Sequence, residues 1–337
     1  MREALFIKKN AEKWQEYQHQ PTNDPDEQAE RFITILDDLS YAKTFYPQSK
    51  ATKWINGIAA ITYQKIYQNK KEKYSRLWQF WKTELPLTMY KYRKVLWFTA
   101  ALYILFVVIA VWSSIQDKTF VNGILGDNYV RMTEENISKG DPFGVYRDGD
   151  KFTMFAMIMF NNITISLLDY VGGITAGLYT FYRALSDGMM LGTFHYIFFS
   201  HGLGWQSLMV IWCHGSIEIS CMVLSATAGF VMAKGIIFPE TYSRWHSFKT
   251  HIRESLKIIL AVVPMLVVAA FFESYVTYLM SNSFDNEANV SIPVWAGVLM
   301  LGSIMLFILW YFVWYPVKLQ KRLVLLQSET FPQLMTA

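Results

Sequence analysis

Residues 205–239 read WQSLMVIWCHGSIEISCMVLSATAGFVMAKGIIFP, and this stretch decides the fold. Between Trp205 and Ala233, only His214 and Glu218 have side chains that carry charge near neutral pH. The run exceeds the ~20 apolar residues that cross a bilayer as a helix. It stops at Pro239, which cannot continue one. Helical geometry puts His214 and Glu218, four residues apart, on one face. Ionisable groups at membrane depth cost roughly 2.5–3.5 kcal/mol each even on lenient scales, so they face a protein interior. The pair therefore locates a candidate site without fixing its chemistry.

The rest of the chain agrees with a membrane protein. Of 337 residues, 53% are hydrophobic and 17% aromatic, which is the composition of a polytopic membrane protein and not of a soluble domain this size. The net charge of +4 is unevenly placed, with about half of the Lys and Arg before the first apolar span. No stripe of Arg interleaved with aromatics is present, so nucleic acid is not an expected partner. Cys213 and Cys221 lie about 12 Å apart along one helix, beyond the ~7 Å limit of a disulfide. They read as small packing residues, and no CxxC metal motif occurs. No signal peptide is read at Met1-Arg2-Glu3-Ala4, so the first domain is expected to stay in the compartment of synthesis.

The expected fold is all-α: about six membrane crossings, one of them broken, behind an N-terminal cytoplasmic helical domain at 1–93. Asp24 caps a helix with Pro25 at its first position, and Phe32, Ile35, Leu36 and Leu39 form its apolar face. Ser49 caps the next helix, whose face carries Trp54, Ile58 and Ile61. Tyr74, Leu77, Trp78 and Trp81 form a further face ending before Pro86, which either lies in the headgroup layer or packs inside the domain.

The transmembrane bundle is expected over 94–323. Its first span is Val95–Trp112, preceded by Lys91, Arg93 and Lys94, which place that end in the cytoplasm. The loop 113–151 then lies outside. A second span covers 152–170. Residues 171–202 offer no clean apolar run, so two shorter helices meeting at Ser186-Asp187-Gly188 are expected to cross once. Spans near 205–237, 256–280 and 292–315 follow, with basic loops inside, and 324–337 forms a cytoplasmic tail.

Polar residues gather within this bundle: Asn161, Asn162, Asp169, Arg183, Asp187, His195, His201, His214, Glu218 and Glu273. Metal binding, with His201 or Glu273 completing a His214–Glu218 site, and proton relay are the sharp readings. A hydrogen-bonded lock between helices is the plainer one and is the expectation, with no metal and no cofactor. The His-Glu-x-x-His order of zinc proteases is absent. Arg183 and Asp187 form an i, i+4 pair at the expected break. Gly173 and Gly177, Gly188 and Gly192, and the seam Ser225-xxx-Gly229-xxx-Ala233 have the spacing of close helix packing. No P-loop, Rossmann glycine pattern or Ser-His-Asp order occurs, so no catalytic residues are assigned.

Three blocks resemble the stage II sporulation protein M family of integral membrane proteins. The first runs from Asp38-Leu39 through Tyr46-Pro47-Gln48-Ser49 and Trp54-Ile55-Asn56-Gly57 to Ile66-Tyr67, with Glu84-Leu85-Pro86 before the first span. The second joins Phe160-Asn161-Asn162, Gly172 to Gly177, and Asp187-Gly188 with Leu191-Gly192. The third is His214-Gly215 with Glu218, then Ala228-Gly229, Pro239, Ala269-Ala270 and Glu273. Two positions depart from the family pattern: Cys213 stands where Pro usually precedes the His-Gly, and Asp187 where Asn usually precedes the Gly.

Six crossings with basic loops inside put both termini in the cytoplasm, and the resemblance implies a bacterial inner-membrane protein. The founding member scaffolds peptidoglycan-degrading partners at the septal membrane during engulfment, and other members are encoded near MoxR-type ATPases. The lead expectation is therefore a non-enzymatic scaffold or localisation factor for envelope partners, possible as a homo-oligomer. A transporter or lipid flippase using the His214/Glu218 cluster is the alternative, and an intramembrane hydrolase with Glu218 as base is a third.

Overall fold

A computed structural model describes residues 2–20, 22, 24–67, 75–144, 150–284 and 290–334. Among these residues the structure is helical and contains no strand. It divides into two compact units, residues 1–78 and 79–337.

The first unit is built from α1 (Glu3–His19), α2 (Pro25–Phe45) and α3 (Lys50–Tyr67). Asp24 begins α2 by accepting the amide of Asp26, and Ser49 begins α3 by accepting the amide of Ala51. Trp14 lies at the centre, fully buried between Phe6 and Trp54, with its indole N–H donating to Asp38 over 2.8 Å. Ile35, Leu39, Ile55 and Ile58 complete the core. Leu36 and Ile61, assigned by spacing to the core faces, are 40% and 50% exposed. The buried stripes are narrower than the apolar spacing indicates, because a small unit has too little interior for all of its apolar side chains.

The short helix α4 (Ser75–Gln79) leads into a π-helical turn, Phe80–Glu84, and then α5 (Leu85–Lys91). Pro86 lies in the first turn of α5, where its missing N–H is harmless, so it begins a helix instead of ending one. Leu85, Met89 and Leu96 belong to the core of the second unit, which therefore starts near residue 79 and not after residue 93. Tyr74 of the expected apolar face lies outside the described residues, and the rest of the face divides at the same point. Leu77 and Trp78 are exposed, whereas Trp81 packs against the bundle core, and its carbonyl accepts Tyr311 Oη at 2.6 Å.

The second unit continues with α6 (Arg93–Gln116), α7 (Lys118–Leu125), α8 (Asp127–Ser138), α9 (Lys151–Val171), α10 (Leu178–Ser200), α11 (Gly204–Ile237) and α12 (Arg244–Tyr275). After these come α13 (Thr277–Ser281), α14 (Val294–Leu309), a π turn at Trp310–Trp314, and α15 (Tyr315–Leu334). Asp117 caps α7 and Asp150 caps α9. The hydroxyl and amide of Thr119 and Thr153, respectively, hold these two carboxyls below the usual carboxylate range.

Among the described residues, five helical stretches are long and apolar enough to cross a membrane: Arg93–Gln116, Lys151–Thr175, Gly204–Ile237, Arg244–Tyr275 and Val294–Leu326. The protein is thus an all-α polytopic membrane protein. Within its most apolar window α11 is 67% buried, against 11% for Val294–Leu326, so α11 is the axis around which the other helices pack.

The expected break at Ser186-Asp187-Gly188 is absent, because α10 runs unbroken from Leu178 to Ser200. The interruption lies earlier, in a 3₁₀ turn at Gly172–Thr175 followed by Ala176 and Gly177, both left-handed (φ 54° and 83°). Gly188 allows close packing here without ending the helix. α10, at 23 residues, has spanning length but carries Arg183 and Asp187.

Candidate functional site

Three helices meet near the first third of α11. His214 and Glu218 project from one face of α11, Glu273 from the end of α12, and Asn162 from the middle of α9. The side chains of His214, Glu218 and Glu273 each bring one ligand-capable atom to within 4.8 Å of the others. His214 Nε2 stands 3.9 Å from Glu273 Oε1. Asn162 Nδ2 donates to Glu218 Oε1 at 2.5 Å, tying α9 to α11. At an effective dielectric of about 20, two charged carboxylates this close repel by roughly 3–4 kcal/mol. A shared proton or a bound cation relieves that repulsion.

A hydrogen bond ties His214 to α13. The Thr277 hydroxyl on α13 lies 2.8 Å from His214 Nδ1 and donates its single hydrogen to the carbonyl of Phe272. With its hydrogen on that carbonyl, the hydroxyl accepts from His214, which is the tautomer with the proton on Nδ1 and with Nε2 on the side of Glu273. The imidazole itself is 3% exposed.

The cluster opens onto a cavity of about 360 Å³. Its walls include Ile124 and Leu125 of α7, Tyr129 of α8, Leu191, Phe194 and His195 of α10, and Trp212, Gly215, Ile219 and Met222 of α11. His195 is oriented by its own bonds: Nδ1 donates to the Leu191 carbonyl at 2.8 Å, and Nε2 accepts the indole N–H of Trp212 at 2.7 Å. His201 stands apart at the end of α10, with Nδ1 on the Ile197 carbonyl, and takes no part in the cluster. Asn161 is exposed, and its amide reaches Asn162 at 3.4 Å.

A second polar cluster joins α9 and α10. Arg183 Nη2 contacts Asp187 Oδ1 at 2.9 Å, and its Nε contacts Asp169 Oδ1 at 3.1 Å. Sequence spacing exposes the first pairing; the second needs the turn at 172–177 to fold α10 back beside α9. Thr180 secures that turn by donating to the Asp169 carbonyl at 2.8 Å. One guanidinium therefore serves two buried carboxylates, and the arrangement fixes helix positions without forming part of the cavity wall.

The spaced glycines mark close approaches. A Cβ on Gly173 would lie 2.3 Å from the Gly229 carbonyl, and one on Gly229 would lie 2.5 Å from the Asp169 carbonyl. Gly188 and Gly192 face α6, where a Cβ would meet Phe106 at 2.7 Å and the Val107 carbonyl at 2.6 Å. Gly177 supplies the second left-handed residue of the turn, after Ala176. α11 passes unbroken through Cys213, the position at which the family pattern has Pro.

The residues that complete the site but have no pattern of their own are Thr277, Trp212 and Tyr129. Tyr129 and Thr277 are ordinary residue types brought to the site by helices distant in sequence, and Trp212 shares α11 with His214.

The family model for stage II sporulation protein M matches residues 99–278, which contain α9 to α12 and both polar clusters. The chain belongs to the stage II sporulation protein M family. A separate model, for a domain of unknown function, matches residues 4–68. Two uncharacterized proteins of Methanocaldococcus jannaschii are similar to the chain. One is 32% identical over 128 residues, covering 36% of this chain and 70% of the relative. The other is 22% identical over 193 residues, covering 56% and 84% respectively. No solved structure matches the chain.

Proposed function

We propose that this member of the stage II sporulation protein M family is a non-enzymatic membrane scaffold that gathers and localises envelope-associated proteins. The supporting observation is its two-part construction. A helical unit with its own core, residues 1–78, shares a chain with a spanning bundle. That unit leaves Leu5, Ile33 and Phe45 more than half exposed, apolar surface that a partner could cover. The basic residues Lys91, Arg93 and Lys94, then Arg244, Lys249 and Arg253, then Lys318, Lys321 and Arg322 favour a cytoplasmic location for the first unit and both termini. This orientation counts α10 as the third of six crossings. The partners in this reading are other membrane or envelope proteins, with a MoxR-type ATPase system among them, and a second copy of the chain. Its setting is the cytoplasmic membrane, the bacterial inner membrane in the sporulating relatives.

In-cell crosslinking of the full chain against the bundle alone (residues 79–337) tests this. The expected outcome is a reproducible set of membrane partners whose crosslinks disappear without residues 1–78. An identical set from both forms would sink the scaffold reading.

A transporter or lipid flippase is the second reading, favoured by the cavity that reaches three ionisable groups at membrane depth. Reconstituted into liposomes, a carrier should move cations, protons or labelled lipid, and Glu218→Gln should stop it. Liposomes no leakier than protein-free controls would remove this reading.

A further inference from the structure

We infer that His214, Glu218 and Glu273 form a binding site for a single borderline divalent transition-metal ion, such as zinc or manganese, reached through the cavity between α7, α10 and α11. The inference goes beyond the scaffold reading and does not depend on it.

Four observations converge. The three donor types are one imidazole nitrogen and two carboxylate oxygens, which suit zinc, manganese and ferrous iron better than soft ions. Their candidate ligand atoms already lie within 4.8 Å of one another, so small side-chain movements bring all three to an ion. The Thr277 contact admits the tautomer a ligand needs, with Nδ1–H donating to the hydroxyl and Nε2 on the side of Glu273. Outer partners of this kind hold metal-ligating histidines in place. Asn162 plays the corresponding part for Glu218, donating to Oε1 at 2.5 Å.

The cavity supplies what a closed lock would lack. Three protein ligands leave at least one coordination position for water or another small ligand, the usual arrangement of an open metal site. About 360 Å³ of space adjoins the cluster, walled largely by apolar side chains. Apolar, low-dielectric walls strengthen the attraction of two carboxylates for a dication. Cys213 and Cys221 are buried elsewhere on α11 and do not line this space, so the donor set stays hard to borderline.

Untagged full-length protein, stripped with a chelator and placed in lipid nanodiscs, is incubated separately with Zn²⁺, Mn²⁺, Mg²⁺ and Ca²⁺ and desalted before elemental analysis. Retention of about one Zn²⁺ or Mn²⁺ per chain, with little Mg²⁺ or Ca²⁺, is expected. Cobalt loading should give the visible absorption bands of a low-coordinate N/O site. Glu218→Gln and Glu273→Gln keep the side-chain shape and should each lose the bound metal. Thr277→Val should weaken binding by roughly 10–100-fold through loss of imidazole orientation. His201→Ala, outside the cluster, should retain it and so controls for stray histidine binding. Variants are compared only as single monodisperse species with unchanged helicity. Absence of retained metal in the native chain overturns the inference and leaves a cluster that holds protons only. Equal retention by both glutamine variants overturns it as well, by placing the metal elsewhere.

Discussion

Arg183 shows how one side chain sets the position of two helices. Its guanidinium is 17% exposed, while Asp169 and Asp187 are essentially buried. Removing one partner from a buried ionic group leaves uncompensated charge, at a cost of about 3–5 kcal/mol. Arg183→Ala should therefore lower the thermal midpoint in mild detergent severely. Arg183→Lys, a point charge without the fork that reaches both carboxylates, should fall between. If Arg183→Ala unfolds at the native midpoint, the pair is an ornament and not a fastening. The His214 cluster behaves differently at the same scale. Its members also line a cavity, so their substitution should be read in ligand retention as well as stability.

Between elements, the controlling quantity is the distance at which backbones pass. α10 lies against α6 because Gly188 and Gly192 have no side chain there. At Gly192 a Cβ would meet backbone, the Val107 carbonyl at 2.6 Å, and backbone cannot turn away as a flexible side chain can. Gly192→Leu should cost at least the roughly 1–3 kcal/mol of overpacking and push α10 off α6. Gly302 on α14 is the natural comparison, since an added Cβ would meet nothing within 4 Å. Gly302→Ala should be neutral or mildly stabilising by helix propensity. Equal loss of detergent stability in both variants would show that glycine matters here for some reason other than proximity. The turn at Gly172–Gly177 belongs to the same scale. It reverses the chain so that Thr180 and Arg183 both reach Asp169, and it does so at the end of an apolar helix without any proline.

The whole molecule combines a unit with a water-compatible core and a bundle that buries its most apolar helix in the middle. The smaller unit depends heavily on Trp14, whose ring is enclosed by Phe6 and Trp54 and whose nitrogen is held by Asp38. Trp14→Ala should cost about 3–5 kcal/mol. Urea unfolding followed by tryptophan fluorescence of the remaining residues measures this loss within the full chain. A midpoint unchanged from native would mean that residues 1–78 are not held together by this core. In the larger unit, exposure has the reverse meaning. Trp97, Ile104, Val108 and Trp112 of α6 face outward, as side chains facing lipid do.

The apolar runs, their caps and their basic flanks needed no tertiary information. An apolar run of spanning length has few stable alternatives to a helix in a bilayer, because every backbone polar group must be satisfied within it. For the same reason Asp24, Ser49 and the start of α11 were legible, and so was the shared face of His214 and Glu218. Membership of the stage II sporulation protein M family followed from the order of short motifs along the chain. The location of the break did not, because Ser186-Asp187-Gly188 and Gly172-Gly173 both combine helix-weakening residues, and only packing against α6 and α11 decides which of them bends. Nor did the partnership of Arg183 with Asp169, which joins residues fourteen positions apart through a reversal of the chain. The cavity, and the contact of His214 with Thr277 sixty-three residues away, arise only when α7, α8, α10, α11, α12 and α13 converge. Sequence spacing determines which side chains share a face; the space in front of that face exists only between helices, and the tertiary structure alone makes it.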